Sequence, residues 1–581
     1  MADATASTPI GVARNRPMTA GEKKVIVASS AGTIFEWYDF YLYGSLATII
    51  AAQFFSSFPE ATRNVFALLA FAAGFLVRPF GALFFGRLGD IVGRKYTFLL
   101  TILIMGISTF VVGLLPTYAT LESNYGIGWL APTILIALRM LQGLALGGEY
   151  GGAVVYVAEH APHGRRGYFT SWIQTTATLG LLLSLMVILS VRTYVGEKEF
   201  AEWGWRIPFL LSIILLAISV WIRLQMEESP VFQKIKDEGK RSKAPLTEAF
   251  GQWSNAKFAL VALLGLVAGQ AVVWYTGQFY ALFFLQNILR VDMFTANVLI
   301  AWSLVLGTVG FVIFGSLSDR IGRKPIILAG MLLAAVTYFP VFNFISSTAN
   351  PQLNRAQQAT KVTVVADKDE CSFQFNPTGT SKFTSSCDVT KALLARSLVN
   401  YSVKDAPDGS IAKVMIGDRE IAGYDASKLS GEAVRTTPAA FTKSVNDALA
   451  AAGYPMAGQP NPEIVRMSHF FDIFRAQPFK LVLVLTYLVI LVTMVYGPIA
   501  AALVELFPTR IRYTGMSLPY HIGNGWFGGL MPATAFAMIA QTGDPYFGLW
   551  YPIVIACGCF LIGLFFVPDN YKKDIFTEDV R

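Results

Sequence analysis

Charge, histidine and cysteine are all scarce in this 581-residue sequence. Charged residues make up 14% of the chain, against about a quarter in a typical soluble domain, whereas hydrophobic residues make up 54%. There are four histidines and four cysteines. Cys557 and Cys559 lie in an apolar run, where they are better interpreted as small residues at a helix interface than as ligands. We therefore expect no metal site.

Features of nucleic-acid-binding proteins, secreted proteins and enzymes are also missing. No stripe combines basic with aromatic residues, so the net charge of +8 predicts no nucleic-acid partner. The first 26 residues are polar and basic without a cleavable signal pattern, so we expect the first apolar segment to remain in the chain. The polar stretch 347–470 has no histidine before His469 and no recognisable set of nucleophile, base or metal ligands, which predicts neither catalysis nor a cofactor.

Long apolar runs dominate the rest of the sequence. "FALLAFAAGFLVRPFGALFF" at 66–85 and "YTFLLTILIMGISTFVVGLL" at 96–115 are each long enough to cross a bilayer core of about 30 Å as a helix. Because lipid offers the backbone no hydrogen-bond partners, such runs must be helical. Hydropathy predicts an all-α membrane protein with twelve transmembrane helices, near 27–54, 62–88, 94–115, 131–158, 167–191, 205–224, 257–286, 293–317, 325–346, 479–505, 512–540 and 547–567.

Lysine and arginine near the span ends predict the orientation of the chain. The loops on one side are rich in these residues, whereas the opposite short loops hold only Arg63, Lys198 and Arg290. Since basic residues mark the cytoplasmic side, both termini are predicted to be cytoplasmic, in a multi-pass protein of the plasma (inner) membrane surrounded by lipid. The basic clusters include Lys23, Lys24, Arg87, Arg94, Lys95, Arg165, Arg166, Lys240, Arg241, Arg320, Arg323, Lys324, Arg510 and Arg512.

Two pairs of similar stretches indicate a duplication. "GRLGDIVGRK" at 86–95 follows the second predicted span, and "GSLSDRIGRK" at 315–324 follows the eighth. "VAEHAPHGRRGYFTS" at 157–171 ends span four, and "VELFPTRIRYTGMS" at 504–517 ends span ten. These positions are equivalent in two six-helix halves. We predict cytoplasmic tails at 1–26 and 571–581, an N-terminal bundle at 27–224, a cytoplasmic central loop at 225–256 and a C-terminal bundle at 257–346 and 471–570.

An insertion separates spans nine and ten. Asp90 and Pro162 are about 70 residues apart, whereas Asp319 and Pro508 are about 190 apart, so a surplus of about 120 residues lies near 347–470. The orientation places it outside the cytoplasm. Its pattern predicts a small α+β domain, with strands at 361–367 and 371–375, a hairpin at 410–424 and helices at 388–401 and 437–454.

Cys371 and Cys387 are the only cysteines of the insertion. In an oxidising compartment a disulfide is permitted, and we expect these two residues to form one. The insertion can cover the outer mouth of the bundle or contact an extracytoplasmic protein partner.

Further motifs accompany the repeated loops: "EWYDFYLYG" at 36–44, "RMLQGLALGGEYGGA" at 139–153, "WGWRIPF" at 203–209, "MEESPVF" at 226–232 and "ELFPTRIRYTG" at 505–515. Together they resemble the major facilitator superfamily and, more narrowly, its metabolite:proton symporter family, which includes proline/betaine, α-ketoglutarate, citrate and shikimate carriers. The resemblance implies a major facilitator fold and secondary active transport by alternating access, driven by a proton gradient.

The resemblance also implies a role for the repeated loops, which latch the cytoplasmic side in this superfamily. The aspartates can pair with cations and cap a neighbouring helix, and the glycines allow close helix approach or tight turns. The alternative is that the basic residues only determine orientation. The predicted latch residues are Gly86, Asp90, Gly93, Arg94, Gly315, Asp319, Gly322 and Arg323.

Five charged residues lie within predicted spans of the first half: Glu36, Asp39, Arg78, Arg139 and Glu149. A charge at mid-membrane costs about 2.5–3.5 kcal/mol on insertion scales, so each requires a reason. A carboxylate whose surroundings alternate between an apolar cavity and a nearby arginine changes its proton affinity, as coupling requires. We predict that Asp39 and Glu149, and then Glu36, exchange protons. The alternative is a permanent salt bridge, such as Asp39 with Arg78 or Glu149 with Arg139.

The second half offers polar residues rather than charges within its spans, which indicates that it shapes the substrate site. The buried arginines favour a substrate with a carboxylate. No heptad extension follows residue 570, although one is common in osmosensing relatives, so we favour a small organic acid over proline or betaine. A receptor with an outer sensing domain is a further alternative. The predicted substrate-binding residues are Arg78, Arg139, Gln142, Tyr275, Gln278, Tyr520 and Asn524, whereas His521 is interpreted as a hydrogen-bonded packing residue.

Overall fold

The structure is a computed structural model. It describes residues 19–57, 60–225, 228, 230–239, 242–372, 383–397, 399–456 and 459–572.

Long helices form both halves of the chain. In the first half they are α1 (Ala20–Ser45), α2 (Glu60–Ile91), α3 (Arg94–Leu114), α4 (Leu130–His160), α5 (Arg166–Val195) and α6 (Arg206–Leu224). In the second half they are α7 (Trp253–Ile288), α8 (Met293–Ile321) and α9 (Arg323–Ala349) before the insertion. After it come α13 (Ala476–Leu506), α14 (Arg512–Ile522), α15 (Met531–Thr542) and α16 (Phe547–Phe566). Short helices lie at Ala47–Phe54, Tyr118–Tyr125, Pro230–Asp237 and Pro245–Phe250.

Nine helices among the described residues are long and apolar enough to cross a membrane. They are α3 to α9, α13 and the segment Phe547–Phe566. Two helical segments depart from regular α geometry. The α7 segment contains π-helical turns at Leu263–Val267, Thr276–Tyr280 and Phe284–Ile288, and the π-helical turn Gly523–Gly528 follows α14. Such turns often mark functional positions, and these occur where polar side chains enter the core.

Small residues let α2 and α4 approach closely. A Cβ atom on Gly143 would overlap the backbone of Gly74, and one on Gly81 would overlap the backbone of Leu144. This contact fixes α2 against α4, so the arginines that these helices carry are held in the interior of the first half.

Two glycines precede the helices that follow the repeated loops. Gly93 lies before α3 with φ of 140°, and Gly322 lies before α9 with φ of 101°. Residues with a side chain rarely adopt such angles, so both turns favour glycine. The sequence-based prediction of tight turns at these two positions is confirmed.

An acid from the end of each half binds the free N–H groups that begin these helices. Glu228, after α6, accepts hydrogen bonds from Arg94 N at 3.2 Å and Lys95 N at 3.3 Å. Asp569, after α16, accepts one from Arg323 N at 3.2 Å. A carboxylate is favourable at a helix N-terminus. The chain leaving each half is therefore tied back to its own half.

The insertion forms a four-stranded sheet with three helices. In chain order the elements are α10 (Pro351–Ala359), β1 (Val362–Ala366), α11 (Ser386–Arg396), β2 (Tyr401–Asp405), β3 (Lys413–Ile416), β4 (Arg419–Ala422) and α12 (Ala433–Ala451). The strand order is β2-β1-β3-β4. β1 pairs in parallel with β2, and the pairs β1–β3 and β3–β4 are antiparallel. The predicted α+β domain is thereby confirmed, including the hairpin around Gly417.

Three details of the insertion differ from the sequence-based expectation. The helix expected over 388–401 ends at Arg396, and Tyr401 begins β2, since a strand placed beside β1 satisfies backbone groups that local helix propensity cannot foresee. The helix α10 was not predicted. Of the strand expected at 371–375, Cys371 and Ser372 are not in a strand, and 373–375 lie outside the described residues.

The predicted Cys371–Cys387 disulfide is present, with the two Cα atoms 5.2 Å apart. It links the segment after β1 to the start of α11.

The insertion rests on the end of the second half opposite to the repeated loops. Tyr401 N donates to Gly543 O at 3.2 Å, which joins β2 to the end of α15. Arg290 Nη2 donates to Ser397 O at 3.0 Å. The two ends of the insertion meet, because Val465 N donates to the carbonyl of Ala349 at 2.8 Å.

Candidate functional site

The end of the molecule that carries the repeated loops contains two buried charge clusters. In the first latch cluster, Asp90 accepts hydrogen bonds from Thr514 N at 2.9 Å and Thr514 Oγ1 at 2.7 Å. Arg94 lies 3.2 Å from Asp90 and 3.7 Å from Glu159. Glu159 also pairs with Arg512 at 3.0 Å. The cluster therefore joins α2 and α4 of the first half to α14 of the second.

The second latch cluster repeats this arrangement with the halves exchanged. Asp319 accepts two backbone N–H groups from the first turn of α5, at 2.9 and 2.8 Å. Arg323 lies 2.8 Å from Asp319 and 3.0 Å from Glu505. Glu505 also pairs with Arg166 at 2.9 Å. This cluster joins α8 and α13 of the second half to α5 of the first.

Sequence reasoning identified only half of each cluster. It predicted that Asp90 and Asp319 pair with cations and cap neighbouring helices, and the contacts agree with this. It did not assign the cross-half pairs Glu159–Arg512 and Glu505–Arg166. Their signal was the second repeated pair, in which an acid, a proline and arginines recur at matching positions.

Two predicted latch glycines lie where helices of opposite halves touch. A Cβ atom on Gly86 would lie 3.1 Å from the Cα atom of Thr514. A Cβ atom on Gly315 would lie 2.7 Å from the carbonyl oxygen of Gly167. Larger residues at either position would separate the halves and lengthen the carboxylate contacts beside them.

An aromatic layer fills the space between the halves in the middle of the bundle. Tyr150 and Tyr520 stack with ring centroids 3.6 Å apart, and the hydroxyl oxygens of Tyr496 and Tyr520 lie 2.7 Å apart. The layer brings together helices α1, α2 and α4 with α7, α13 and α14. Its members are Trp37, Phe40, Tyr41, Phe75, Tyr150, Trp274, Tyr275, Phe279, Tyr496 and Tyr520.

Arg78 is the cation of this layer. Its guanidinium lies over the rings of Phe40, at 4.3 Å, and Phe75, at 4.4 Å, and it is 2% exposed. It interacts electrostatically with Tyr41 and Tyr275 and forms a side-chain hydrogen bond with Tyr275. Its Nε and Nη2 atoms have no hydrogen-bond partner among the described residues. Two donors of a buried guanidinium thus remain for a ligand of the layer.

Polar side chains of the second half lie near Arg78, and they differ in how they are held. Asn524 is tied to Gln270 by hydrogen bonds of 3.3 and 3.2 Å. Both amide atoms of Gln278 and both ring nitrogens of His521 have no hydrogen-bond partner within the described part of the chain. The interpretation of His521 as a hydrogen-bonded packing residue is therefore not supported.

Arg139 and Asp39 belong to a polar network inside the first half. Arg139 Nη1 donates to Gln142 Oε1 at 2.5 Å, and Gln142 Nε2 donates to Thr109 Oγ1 at 2.9 Å. The Arg139 guanidinium lies 4.4 Å from the ring of Tyr43. Asp39 contacts Thr109, is 6% exposed and forms no salt bridge among the described residues. The alternative pairing of Asp39 with Arg78 is absent there.

Glu149 has a cation partner that sequence reasoning missed. Arg223 Nη2 lies 2.6 Å from Glu149 Oε1, whereas the alternative partner suggested by the sequence was Arg139. Arg223 also donates to the carbonyl of Phe98 at 2.7 Å and lies 3.2 Å from its ring centroid. Arg223 stands at the end of α6, where a sequence shows a span boundary rather than a buried site. The side chain of Glu36 lies outside the described residues.

The sequence is similar to those of known transporters. The family model described as "Sugar (and other) transporter" matches residues 24–366. The proline/betaine transporter of Salmonella typhimurium is 36% identical over 353 residues, which cover 57% of this chain and 68% of that protein. Two Escherichia coli K12 proteins are similarly related. The shikimate transporter is 34% identical, covering 55% of this chain and 72% of its own, and the alpha-ketoglutarate permease is 33% identical, covering 56% and 72%.

Solved structures share the fold at low sequence identity. The proton:xylose symporter XylE bound to 6-bromo-6-deoxy-D-glucose matches with a TM-score of 0.59 and 14% identity, over 96% of this chain and 98% of that chain. A partially occluded inward-open structure of XylE from E. coli matches with a TM-score of 0.55 and 14% identity, over 96% and 100%. At this identity the likeness shows the fold alone.

Proposed function

The chain belongs to the family described as Sugar (and other) transporter, and we propose that it takes up a small carboxylate-bearing metabolite together with protons by alternating access. It is a multi-pass membrane transporter with the major facilitator fold, not an enzyme, and the resemblance drawn from its motifs is confirmed.

The proposed topology has twelve membrane crossings with both termini in the cytoplasm. The helices α1 and α2 and the pair α14–α15 would add three crossings to the nine apolar ones. Tyr520 and His521 in α14 and Asn524 in the π-helical turn after it make this crossing less apolar, as a helix that faces the substrate would be. In this topology the latch clusters lie on the cytoplasmic side and the insertion, near 347–470, on the outside.

The observation that supports a carboxylate substrate is the environment of Arg78. A guanidinium with two unbonded nitrogen atoms lies in a buried aromatic layer between the halves, and Gln278 of α7, which also contributes to that layer, has an amide without hydrogen-bond partners among the described residues. A carboxylate fits the planar fork of an arginine, and such a charged pair is strong in a water-poor site. Arg139 is already bonded to Gln142, so we assign it a positioning role behind the site.

Asp39 is the stronger candidate for proton exchange. Its carboxyl group is buried without a salt bridge among the described residues, and its Oδ1 atom has no hydrogen-bond partner there. A buried carboxyl without a cation binds its proton readily and releases it when water reaches it. Glu149 is the second candidate. Arg223 favours the ionised form of its carboxyl group, so movement of Arg223 away from Glu149 would favour proton binding. Glu36 stays a sequence-based prediction.

A zwitterion such as proline or betaine is the second candidate substrate. Trp37, Tyr41 and Trp274 lie together in the layer, with ring centroids 5.5 to 6.4 Å apart. Aromatic faces of this kind attract a quaternary ammonium. Two relatives are named for proline and betaine or for shikimate, so both substrate classes occur among similar proteins.

Uptake into proteoliposomes distinguishes these substrates. An inwardly directed proton gradient should drive accumulation of a labelled dicarboxylate, such as α-ketoglutarate, more strongly than accumulation of betaine. Arg78→Gln should abolish uptake, whereas the matched change Arg87→Gln, at an exposed arginine on the cytoplasmic side, should not. Uptake of neither class, or uptake unaffected by Arg78→Gln, would contradict the proposal.

A further inference from the structure

A cavity of about 1100 Å³ lies where the insertion meets the second half. Its lining comes from α10, β1, β2, α11 and adjoining residues of the insertion, from the end of α15 and from the loop that follows α15. The volume is that of a site for a small organic molecule. None of the lining residues belongs to the aromatic layer, so this cavity is separate from the proposed transport site.

Lys391 is the buried cation of the cavity. It lines the cavity from α11 and is only 2% exposed. It forms no hydrogen bond or salt bridge with any described residue. Burial lowers the pKa of its ammonium group, and Asp388 offsets only part of this effect. The Asp388 carboxylate is itself bonded to Ser372 N at 2.8 Å and Ser372 Oγ at 2.7 Å.

Other donors face the same space. Lys361 lines the cavity and has no ion pair among the described residues, and Gln357 Nε2 is buried there without a hydrogen-bond partner. Lys368 is already paired with Asp405 at 3.0 Å. The acid of the lining, Asp544, uses its Oδ1 atom to accept a hydrogen bond from Tyr546 N at 2.9 Å. The lining therefore has an excess of uncommitted positive charge.

We propose that this cavity binds a small organic anion with a carboxylate group, held by Lys391 and Lys361 with a hydrogen bond from Gln357. A buried ammonium without a bonded partner is unfavourable, and a carboxylate supplies both the charge and the acceptor oxygens that it lacks. The site goes beyond the proposed transport function, because it lies in the insertion rather than between the halves.

Calorimetric titration of the full chain in detergent with succinate tests the site. The Arg78→Gln background removes the proposed transport site, so the heat that remains reports the cavity. Adding Lys391→Gln should weaken succinate binding about tenfold or more, as expected for loss of a charged hydrogen bond. Lys361→Gln should weaken it less. Lys413→Gln, which removes an exposed lysine of the same domain outside the cavity, should leave it unchanged.

Three results would overturn the proposal. They are no succinate binding to the Arg78→Gln protein, equal binding by the Lys391→Gln and Lys413→Gln variants, and binding of neutral succinamide or of sulfate as tight as that of succinate. If the Lys391→Gln variant does not fold, the Gln357→Leu and Lys361→Gln variants are titrated in its place and should also bind succinate more weakly. A failed uptake experiment with a positive titration would contradict the proposed transport function alone.

Discussion

Replacing Asp90 or Asp319 by asparagine should shift the protein towards a form that is open at the end carrying the repeated loops. Each aspartate accepts two hydrogen bonds from the opposite half, at 2.7 to 2.9 Å, and each is almost fully buried. Asparagine keeps the shape but removes the charge. A hydrogen bond to a charged group contributes about 1.5–3 kcal/mol and a neutral one about 0.5–1.5 kcal/mol, so weakening the two bonds that share Oδ2 of Asp90 costs about 2–3 kcal/mol. Asp319 accepts through both oxygens, and asparagine replaces one of them by an NH2 donor, so the loss there is at least as large.

That loss should change the ratio of closed to open molecules by roughly 30-fold to 150-fold. Spin labels at Val92 and Ile321, two exposed residues on the latch loops of different halves, report the separation by pulsed electron resonance. Alanines at Cys557 and Cys559 remove competing labelling sites. We expect a population at longer distance in both asparagine variants.

Asp237→Asn supplies the matched control, because Asp237 is an exposed aspartate of the central loop. If both latch variants gave the same distance distribution as this control, the clusters would serve orientation only and the latch interpretation would be wrong.

Three further predictions follow from the membrane carboxylates and the insertion. With one proton carried per substrate, a pH gradient of one unit can drive about tenfold accumulation of the substrate. Asp39→Asn should abolish this accumulation while counterflow exchange persists. Retained accumulation would exclude Asp39 from proton coupling. Glu149→Gln should destabilise the protein by about 3–5 kcal/mol, because it removes the carboxylate of a buried ion pair with Arg223, and adding Arg223→Met should restore thermal stability but not coupled uptake if Glu149 exchanges protons. A short Gly/Ser linker from Ala349 to Ser468 should preserve the helical content measured by circular dichroism, because Ala349 already contacts Val465; loss of folded helices would make the insertion structural.

Much of the architecture could be predicted from the sequence because it rests on local patterns. Apolar runs, the duplicated loops and the surplus between Asp319 and Pro508 led to the two halves and the insertion. Contacts between distant residues could not be predicted in the same way. Arg223 is 74 residues from Glu149, and only the packing of α6 against the first half brings them together. The strand β2 likewise forms only by pairing with β1, and the two strands are separated in the sequence by the disulfide-linked segment between Cys371 and Cys387.

The central site was predicted in part for the same reason. Arg78 could be identified because a charge inside an apolar run is conspicuous in any sequence. The aromatic residues around it are common in membrane helices, so their assembly into one layer is visible only in three dimensions. Tyr150 and Tyr496 illustrate this, since neither was selected although both contact Tyr520.

The two latch clusters also determine how the end of the molecule that carries the repeated loops can open. Because they lie in equivalent positions of the two halves, separating the halves breaks both clusters in one event. Among the described residues, the charged contacts that cross between the halves include four hydrogen bonds to Asp90 and Asp319, the pairs Arg512–Glu159 and Arg166–Glu505, and a hydrogen bond from Arg94 to Thr509 O. Each such contact to a charged group contributes about 1.5–3 kcal/mol, so loss of one cluster removes much of what holds the other closed. The two clusters therefore act as one switch: the end that carries the repeated loops is closed with both clusters intact or open with neither.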